Sequence, residues 1–537
     1  MEIAVGHFPF ENFSIMKTLP LGVQDFGSLI AQNCLYVDKT RQIAAMVDEG
    51  KYFFLSRPRR FGKSLLVSTL KAFLEGRRDL FRGLWIEQRQ DWTPHPVIHL
   101  DASLIPHDTE IRLKAGLLEF CQQIAEQYGV EVRSQEYDAA FAELIRRLSQ
   151  QTGNNVVVLI DEYDKPILDA LPDLTAARRQ RDILKNFYEI LKGSDHYLRF
   201  VFITGVSKFS KVSVFSGLNN LRDITLSPRF ATLTGYTQEE LERDFDEHLQ
   251  QVCLQHDLTR TALLAEIQRW YNGYSWNGED RVYNPFSVLN FFAEQQFSNY
   301  WFASGTPTFL LDLITSQQYE TTEFENKRVP ELIFNGDDLE QMNVFALLFQ
   351  TGYLTITAKE RDYAGATYTL NYPNFEVKQA FLTLLLHRFT TYRLEDVPQL
   401  ARSLRYDLEH GDVENFIRSM RGLFAKIPYT LHLPQEAYYH SLFYMILALM
   451  GVDINLEVLT DQGRIDGVLE CQRAIYVIEF KYGHAGSKME TLTAQAIRQI
   501  ETTHYADRFL NDPRPCVLVG VGFIEKEIGY QTVCRKI

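Results

Sequence analysis

YFFLSRPRRFGKSLLVSTLKAF, Tyr52 to Phe73, is the stretch around which the rest of the chain is read. An apolar run, Tyr52 to Leu55, breaks into a loop at Ser56, Arg57 and Pro58. A helical pattern begins after Gly62-Lys63-Ser64, with Leu65, Leu66, Thr69, Leu70 and Phe73 spaced to cover one face. The first turn of a helix leaves backbone N–H groups unpartnered, and its dipole makes that end positive, so strand, loop and helix together suit a phosphate chain. Lys63 is expected to reach the β- and γ-phosphates of ATP and Ser64 to offer its hydroxyl to magnesium. Arg59, Arg60, Gly62 and Leu65 complete the expected nucleotide contacts. The pattern departs from the usual phosphate loop at one place. Arg57, followed by Pro58, stands where a glycine is usual, five residues before Gly62.

A chain of 537 residues exceeds what one hydrophobic core supports, so two or three domains are expected. Net charge is −14 and the pI near 5.5, so any nucleic-acid binding must come from a local basic patch. Lys51, Arg57, Arg59, Arg60, Lys63, Lys71, Arg77, Arg78, Arg82 and Arg89 crowd one segment. They read more readily as charges facing a triphosphate, with the rest solvated on helices, than as a nucleic-acid surface. The six cysteines lack CxxC or zinc spacing and read as reduced thiols. No secretory pattern opens the chain, and the longest apolar run, Leu442 to Val452, is too short to span a bilayer. A soluble, cytoplasmic protein without a membrane partner is expected.

Residues 1–15 read as an extension, with Met16 a candidate start. Pro96 to Asp101 reads as a strand, followed by helices over Thr109 to Tyr128 and Gln135 to Gln151. VVVLIDEYD, Val156 to Asp164, reads as a strand buried on both faces with acids at its carboxyl end. Asp161 is placed to hold magnesium and Glu162 to orient and deprotonate the attacking water. Alone, such a pair reads equally as a strand exit; its distance from the phosphate loop is what favours the ATPase reading. A helix over Asp182 to Lys192 leads to the strand Tyr197 to Thr204. Thr204 is a candidate γ-phosphate sensor, although it reads somewhat more readily as a plain strand end. Alternation of this kind implies a mostly parallel sheet wound on both faces.

LPLGVQDF with YVDKT, RPRRFGKSLLVSTL and KFSKVSVFSGLNNLRDITL together resemble the bacterial AAA-ATPase-like family whose members carry a C-terminal nuclease-type domain. The resemblance covers about the first half of the chain and supports ATP binding by Lys63, Ser64, Asp161 and Glu162. In that family the loop is itself RPRRFGKS. Arg229 is a candidate to reach a phosphate.

From Thr237 the pattern turns helical. WYNGYSW, VYNPFSVLNFF and NYWFASGTPTFLLDLI could stack on single-stranded bases, but packing as a lid over the nucleotide is favoured. Asn343 to Asn371 suggests a few strands or a hairpin, and Glu376 to about Ala425 reads as helical.

The last hundred residues carry a second constellation. Glu436 opens an apolar helix through Met450, and INLEVLT and GRIDGVLE read as strands joined by the turn Asp461-Gln462-Gly463. AIYVIEFKYG reads as a third strand. Glu479 and Lys481, two apart, share a face, and Asp466 on the neighbouring strand would face them. Paired carboxylates favour magnesium or manganese between them, and the lysine could position water or stabilise phosphate charge. The order is similar to the PD-(D/E)xK nuclease superfamily. That resemblance implies Glu436 as the helix acid, Asp466 and Glu479 as metal ligands, Lys481 as the catalytic lysine, and Gln499 and Tyr505 on the next helix.

The expected fold class is α/β: a P-loop NTPase sheet over 16–235, a mainly helical lid and linker over 236–435, and a restriction-endonuclease-like domain over 436–537. The expected function is an ATP-binding ATPase coupled to a metal-dependent nuclease, with DNA the expected nucleic acid and a homo-oligomer compatible with the pattern. The alternative is an ATP-dependent regulator whose nuclease fold binds nucleic acid or protein without cutting.

Overall fold

Tyr52–Ser56 is strand β1, buried at all five positions, and Lys63–Leu74 is the helix that follows. In the structure, a computed structural model, residues 16–208, 214–215, 217–301, 310–311, 313–314, 321–335, 343–363, 365–426, 436–450, 453–460, 463–484, 486–509, 511–524 and 527–535 are described. Of 321–322, 335, 436–441, 453–460, 463–466, 505, 508 and 535 the backbone alone is described. The chain divides into two units. One comprises residues up to Gly305 with Lys327–Glu376, the other Thr306–Asn326 with Val377–Ile537.

In the first unit, β2 (Val97–Asp101), β3 (Val156–Asp161), β4 (Leu198–Gly205) and β5 (Arg222–Asp223) join β1 in a parallel sheet of order β2-β3-β4-β1-β5. One face of that sheet, with Phe53, Leu55, Val157, Leu159, Phe200 and Phe202, packs on Leu66, Val67 and Leu70 of the helix Lys63–Leu74. Burying each such side chain contributes about 1.5–3 kcal/mol, which seats the start of the helix over the carboxyl ends of the strands. Helices Glu110–Tyr128 and Tyr137–Thr152 form close to where periodicity places them. The helix expected from Asp182 begins instead at Leu174, because Asp173 caps the N–H groups of Thr175 and Ala176.

Thr237 and Glu240 form the capping box that opens the helical segment, and the chain continues through Asp246–His256, Arg260–Tyr271 and Pro285–Glu294. Tyr271, Tyr274, Trp276, Tyr283, Phe291, Phe292 and Trp301 are buried, so these aromatics pack and do not offer open stacking faces. The apolar run after Asn343 is helix Val344–Thr351, not a strand. Asn343 caps it and Gly352, at φ 89°, ends it. The hairpin that follows is β7 (Thr355–Asp362) and β8 (Gly365–Asn371), which pairs with β6 (Lys327–Pro330).

In the second unit the helices Phe375–Phe389, Val397–Glu409, Val413–Ala425 and Glu436–Leu449 precede a mixed sheet; the division between units falls in the first turn of Phe375–Phe389. The sheet comprises β9 (Asp453–Thr460), β10 (Gly463–Glu470), β11 (Ile475–Gly483), β12 (Cys516–Ile524) and β13 (Glu527–Arg535), ordered β13-β12-β11-β10-β9. Thr460 pairs with Gly463 across the hairpin; its turn residues Asp461 and Gln462 lie outside the described residues. β11 and β12 are parallel and linked by helix Met489–Thr502. A Cβ at Gly520 would lie 2.5 Å from the Thr493 carbonyl oxygen, so glycine there lets the helix lie close on the sheet.

Candidate nucleotide and nuclease sites

β4 lies between β1 and β3, which separates the phosphate loop from the acidic strand by two strand spacings, about 10 Å. Lys63 spans that gap. Its Nζ, on a side chain 4% exposed, lies 3.0 Å from the Pro58 carbonyl, 3.1 Å from that of Arg57 and 3.7 Å from Glu162 Oε1. Burial pushes the Asp161 carboxyl up to about 6, against the opposing pull of the Ser64 hydroxyl and the Lys63 ammonium. Glu162 sits at φ 50°, a left-handed conformation unusual for a side-chain-bearing residue and frequent at functional sites. Gly62, at φ 79°, precedes the helix, and a Cβ there would meet open space. The Ser64 hydroxyl beside the buried Asp161 carboxylate is a pair of hard-oxygen donors of the kind magnesium takes.

The absent glycine has a structural answer. Arg57 is not at positive φ; the left-handed positions of the loop are Arg60, at φ 66°, and Gly62. The Arg57 side chain turns into the protein interior, where it is fully buried. It donates to the carbonyls of Ser56 and Thr225 at 2.9 Å each and of Phe230 at 3.2 Å, and burial pushes its guanidinium down to about 9. Arg59 and Arg60 remain half-buried at the loop, and Leu65 lies in the first turn of the helix.

Thr204 lies on β4 one register step beyond the Ile160–Ile203 pair, beside Asp161 at the end of β3. It is buried, and its hydroxyl donates to the Leu55 carbonyl at 2.8 Å, tying β4 to β1. Arg229 is engaged with Glu49. The basic segment spends much of its charge internally, in the pairs Arg89–Asp48, Arg77–Asp79 and Lys71–Glu75. Beside Gly62 and Leu65 an apolar recess of about 70 Å³ opens, lined also by Pro20, Tyr36, Leu233 and Tyr236.

In the second unit, Ile475, Val477 and Leu518 form a core with Ile497 and Ile500 of the helix Met489–Thr502. Glu479 and Lys481 continue that face of β11 beyond the apolar part. Glu479 is 1% exposed, and Lys481 Nζ lies 2.9 Å from its Oε1. A buried carboxylate oxygen is a hard donor of the kind a divalent magnesium or manganese ion takes. Gly467 pairs with Ile478, so the antiparallel register continued by one step sets the backbone of Asp466 opposite Glu479. The Asp466 and Glu436 side chains lie outside the described residues. Among the described residues no group of three or more His, Cys, Asp and Glu side chains is arranged to hold a metal.

These two constellations coincide with two family matches. Residues 20–215 match the AAA-ATPase-like model, described as a predicted AAA-ATPase, and residues 434–532 match the PD-(D/E)XK nuclease superfamily. The chain belongs to the AAA-ATPase-like family with a C-terminal PD-(D/E)XK nuclease superfamily domain. It is also 38% identical over 521 residues to an uncharacterized protein in the vnfD 5' region of Azotobacter chroococcum mcd 1, covering 94% of this chain and 96% of that protein.

In the nuclease superfamily domain, the helix that opens at Glu436 packs its Phe443 ring 4.5 Å from Phe480, on the face of β11 opposite Glu479 and Lys481. Gln499 lies, half-buried, on the helix that covers the Glu479 face. Tyr505 falls after that helix, in the short turn Tyr505–Phe509, and its side chain is outside the described residues. In the first unit two residues escaped sequence reading. Asp101 closes β2 in register with Asp161; its signal was an acid at the end of PVIHLD. Glu376 is buried, accepting from the Trp301 N–H and the Ser287 hydroxyl at 2.8 Å each, and burial pushes its carboxyl up to about 7. Nothing local in NYPNFE marked it.

No helix among the described residues is long and apolar enough to cross a membrane.

Proposed function

We propose that this chain binds ATP at the loop and acid pair of its first unit and hydrolyses phosphodiester bonds, with DNA the expected substrate, at Glu479, Lys481 and Asp466 of its second. The observation that carries the nuclease reading is the buried Glu479 held 2.9 Å from Lys481, one register step from the strand position of Asp466.

At the nucleotide site, Lys63 would exchange its loop carbonyls and Glu162 for phosphate oxygens, and the N–H groups from Gly62 to Leu65 would bind the same chain. The apolar lining of the recess beside Gly62 would suit the face of a nucleobase. Glu162 is placed to orient a water and to take its proton on a carboxylate oxygen. Ser64 and Asp161 would hold magnesium. At the second site Asp466 and Glu479 would hold magnesium or manganese, which supplies Lewis-acid polarisation of the phosphate and a more acidic water. Lys481 would orient that water through its ammonium or steady charge on the phosphate oxygens. Gln499 would orient the lysine or the nucleic acid.

One observation favours a second reading. With net charge −14, and with Arg57 buried and Arg77 and Arg89 paired with acids, no extended basic surface is evident in the sequence for nucleic acid. A nucleotide-dependent regulator that binds through its nuclease fold without cutting would need none.

Cleavage of linear and circular DNA with magnesium or manganese separates the two. The nuclease reading expects cutting by the wild type and loss in Asp466→Ala and Lys481→Ala. Equal inertness of all three, on RNA as well as DNA, with ATP still bound, favours the regulator.

A further inference from the structure

The loop Arg57–Phe61 is gripped from one direction. The Arg57 guanidinium carbon lies 3.9 Å from the centre of the Trp276 ring, and that of Arg60 lies 3.7 Å from the centre of Phe286. Between them Phe61 sets its ring edge against Tyr274 at 4.7 Å and Trp276 at 5.3 Å. All three aromatic positions belong to one segment, 274–286, whose shape is fixed by its own bonds. Tyr274 and Val282 pair their backbones, and Asn284 caps the helix Pro285–Glu294. Ser275 is tied to Thr355 by its N–H at 2.7 Å.

Backbone freedom does not explain the loop. Arg60 is held at φ 66°, where a side-chain-bearing residue is strained, and strain of this kind persists only where surroundings over-determine it. The surroundings here are ring faces. We infer that Trp276 and Phe286 are positioning residues for nucleotide binding: by holding Arg57 and Arg60 they keep the phosphate loop in the shape that a glycine-rich loop reaches through backbone freedom. The aromatic segment, which has no chemistry of its own, thereby becomes part of the nucleotide site. This inference rests on the ATP-binding reading proposed above.

The test is the affinity of the full chain for a fluorescent ATP analogue with magnesium, measured beside its thermal unfolding. Phe286 is only half-buried, so Phe286→Leu is expected to keep the wild-type melting temperature while binding about 2- to 30-fold more weakly, the range a cation–π contact covers. Phe286→Tyr, which keeps the ring face, restores tight binding. Should Phe286→Leu melt early, Phe286→Met at similar volume takes its place, and the comparison of Arg60→Gly with Arg60→Gly/Phe286→Leu gives an independent readout. Those two are expected to bind alike, because the contact is already gone. Wild-type affinity in Phe286→Leu, with binding lost in Lys63→Ala, overturns the inference alone. Failure of the wild type to bind the analogue overturns the ATP-binding reading and the inference with it.

Discussion

Replacing Glu376 by glutamine should stabilise the first unit at pH 8 and leave it almost unchanged at pH 4. Glu376 is buried, with no cation paired to it among the described residues, and is held by the Trp301 N–H and the Ser287 hydroxyl. Desolvation penalises its charged form and pushes it from the ordinary 4.5 to about 7. A carboxyl raised in this way binds more protons folded than unfolded between those values. Its contribution is therefore fully present below about pH 4.5 and lost as pH rises through 7. The gap is worth about 3 kcal/mol, since each pH unit of difference is about 1.4 kcal/mol. The neighbouring phenols of Tyr271, Tyr274 and Tyr300 are all raised by burial and do not titrate in this window. Glutamine keeps an acceptor for Trp301 and can donate to Ser287, but never ionises. All five tryptophans lie in the first unit, so their fluorescence during urea unfolding reports on that unit alone. The expected result is that Glu376→Gln exceeds the wild type by about 3 kcal/mol at pH 8, with the difference closing towards pH 4. Parallel pH profiles, or a variant less stable at pH 8, would refute the reasoning.

Other outcomes follow from the loop. Arg60→Gly should be more stable than Arg60→Ala by about 1 kcal/mol in urea unfolding, because both lose the ring contact but only glycine relieves the left-handed strain; equal stabilities would mean position 60 is not strained. Arg57→Met should destabilise the first unit by about 3 kcal/mol or more, since it strands the Thr225 and Phe230 carbonyls in the interior, and a loss below about 1 kcal/mol would show that those carbonyls find other donors. Gly352→Ala would put a Cβ 2.8 Å from Pro58 Cβ at a position of φ 89°. It should weaken ATP binding by shifting the loop, and an unchanged dissociation constant would contradict that packing.

Much of both sites was legible because their signals are local. Period-2 and buried runs found β1, β3 and the β9–β10–β11 hairpins, and the spacing of Glu479 and Lys481 suffices to put them on one face. What escaped depends on distant partners. FALLFQT is short and apolar, and such a run forms helix or strand according to its surroundings; here Asn343 and Gly352 close it as a helix. The partner of the Thr204 hydroxyl, the Leu55 carbonyl, comes from a neighbouring strand 149 residues earlier. Arg57 read as a defect in the loop, because the Trp276 ring that receives it lies more than two hundred residues away. Glu376 carries no local signature, since its burial is made by Ser287 and Trp301.

The central claim is that one chain couples nucleotide binding to phosphodiester cleavage. Its most direct test is the rate of DNA cleavage by the full chain in magnesium or manganese, with and without ATP, in the wild type and in Lys63→Ala. The account predicts that ATP changes the wild-type rate, that Lys63→Ala cuts at one rate whether or not ATP is present, and that Asp466→Ala does not cut under either condition. Wild-type cleavage that ATP leaves unaltered, or an ATP response that survives Lys63→Ala, would contradict it.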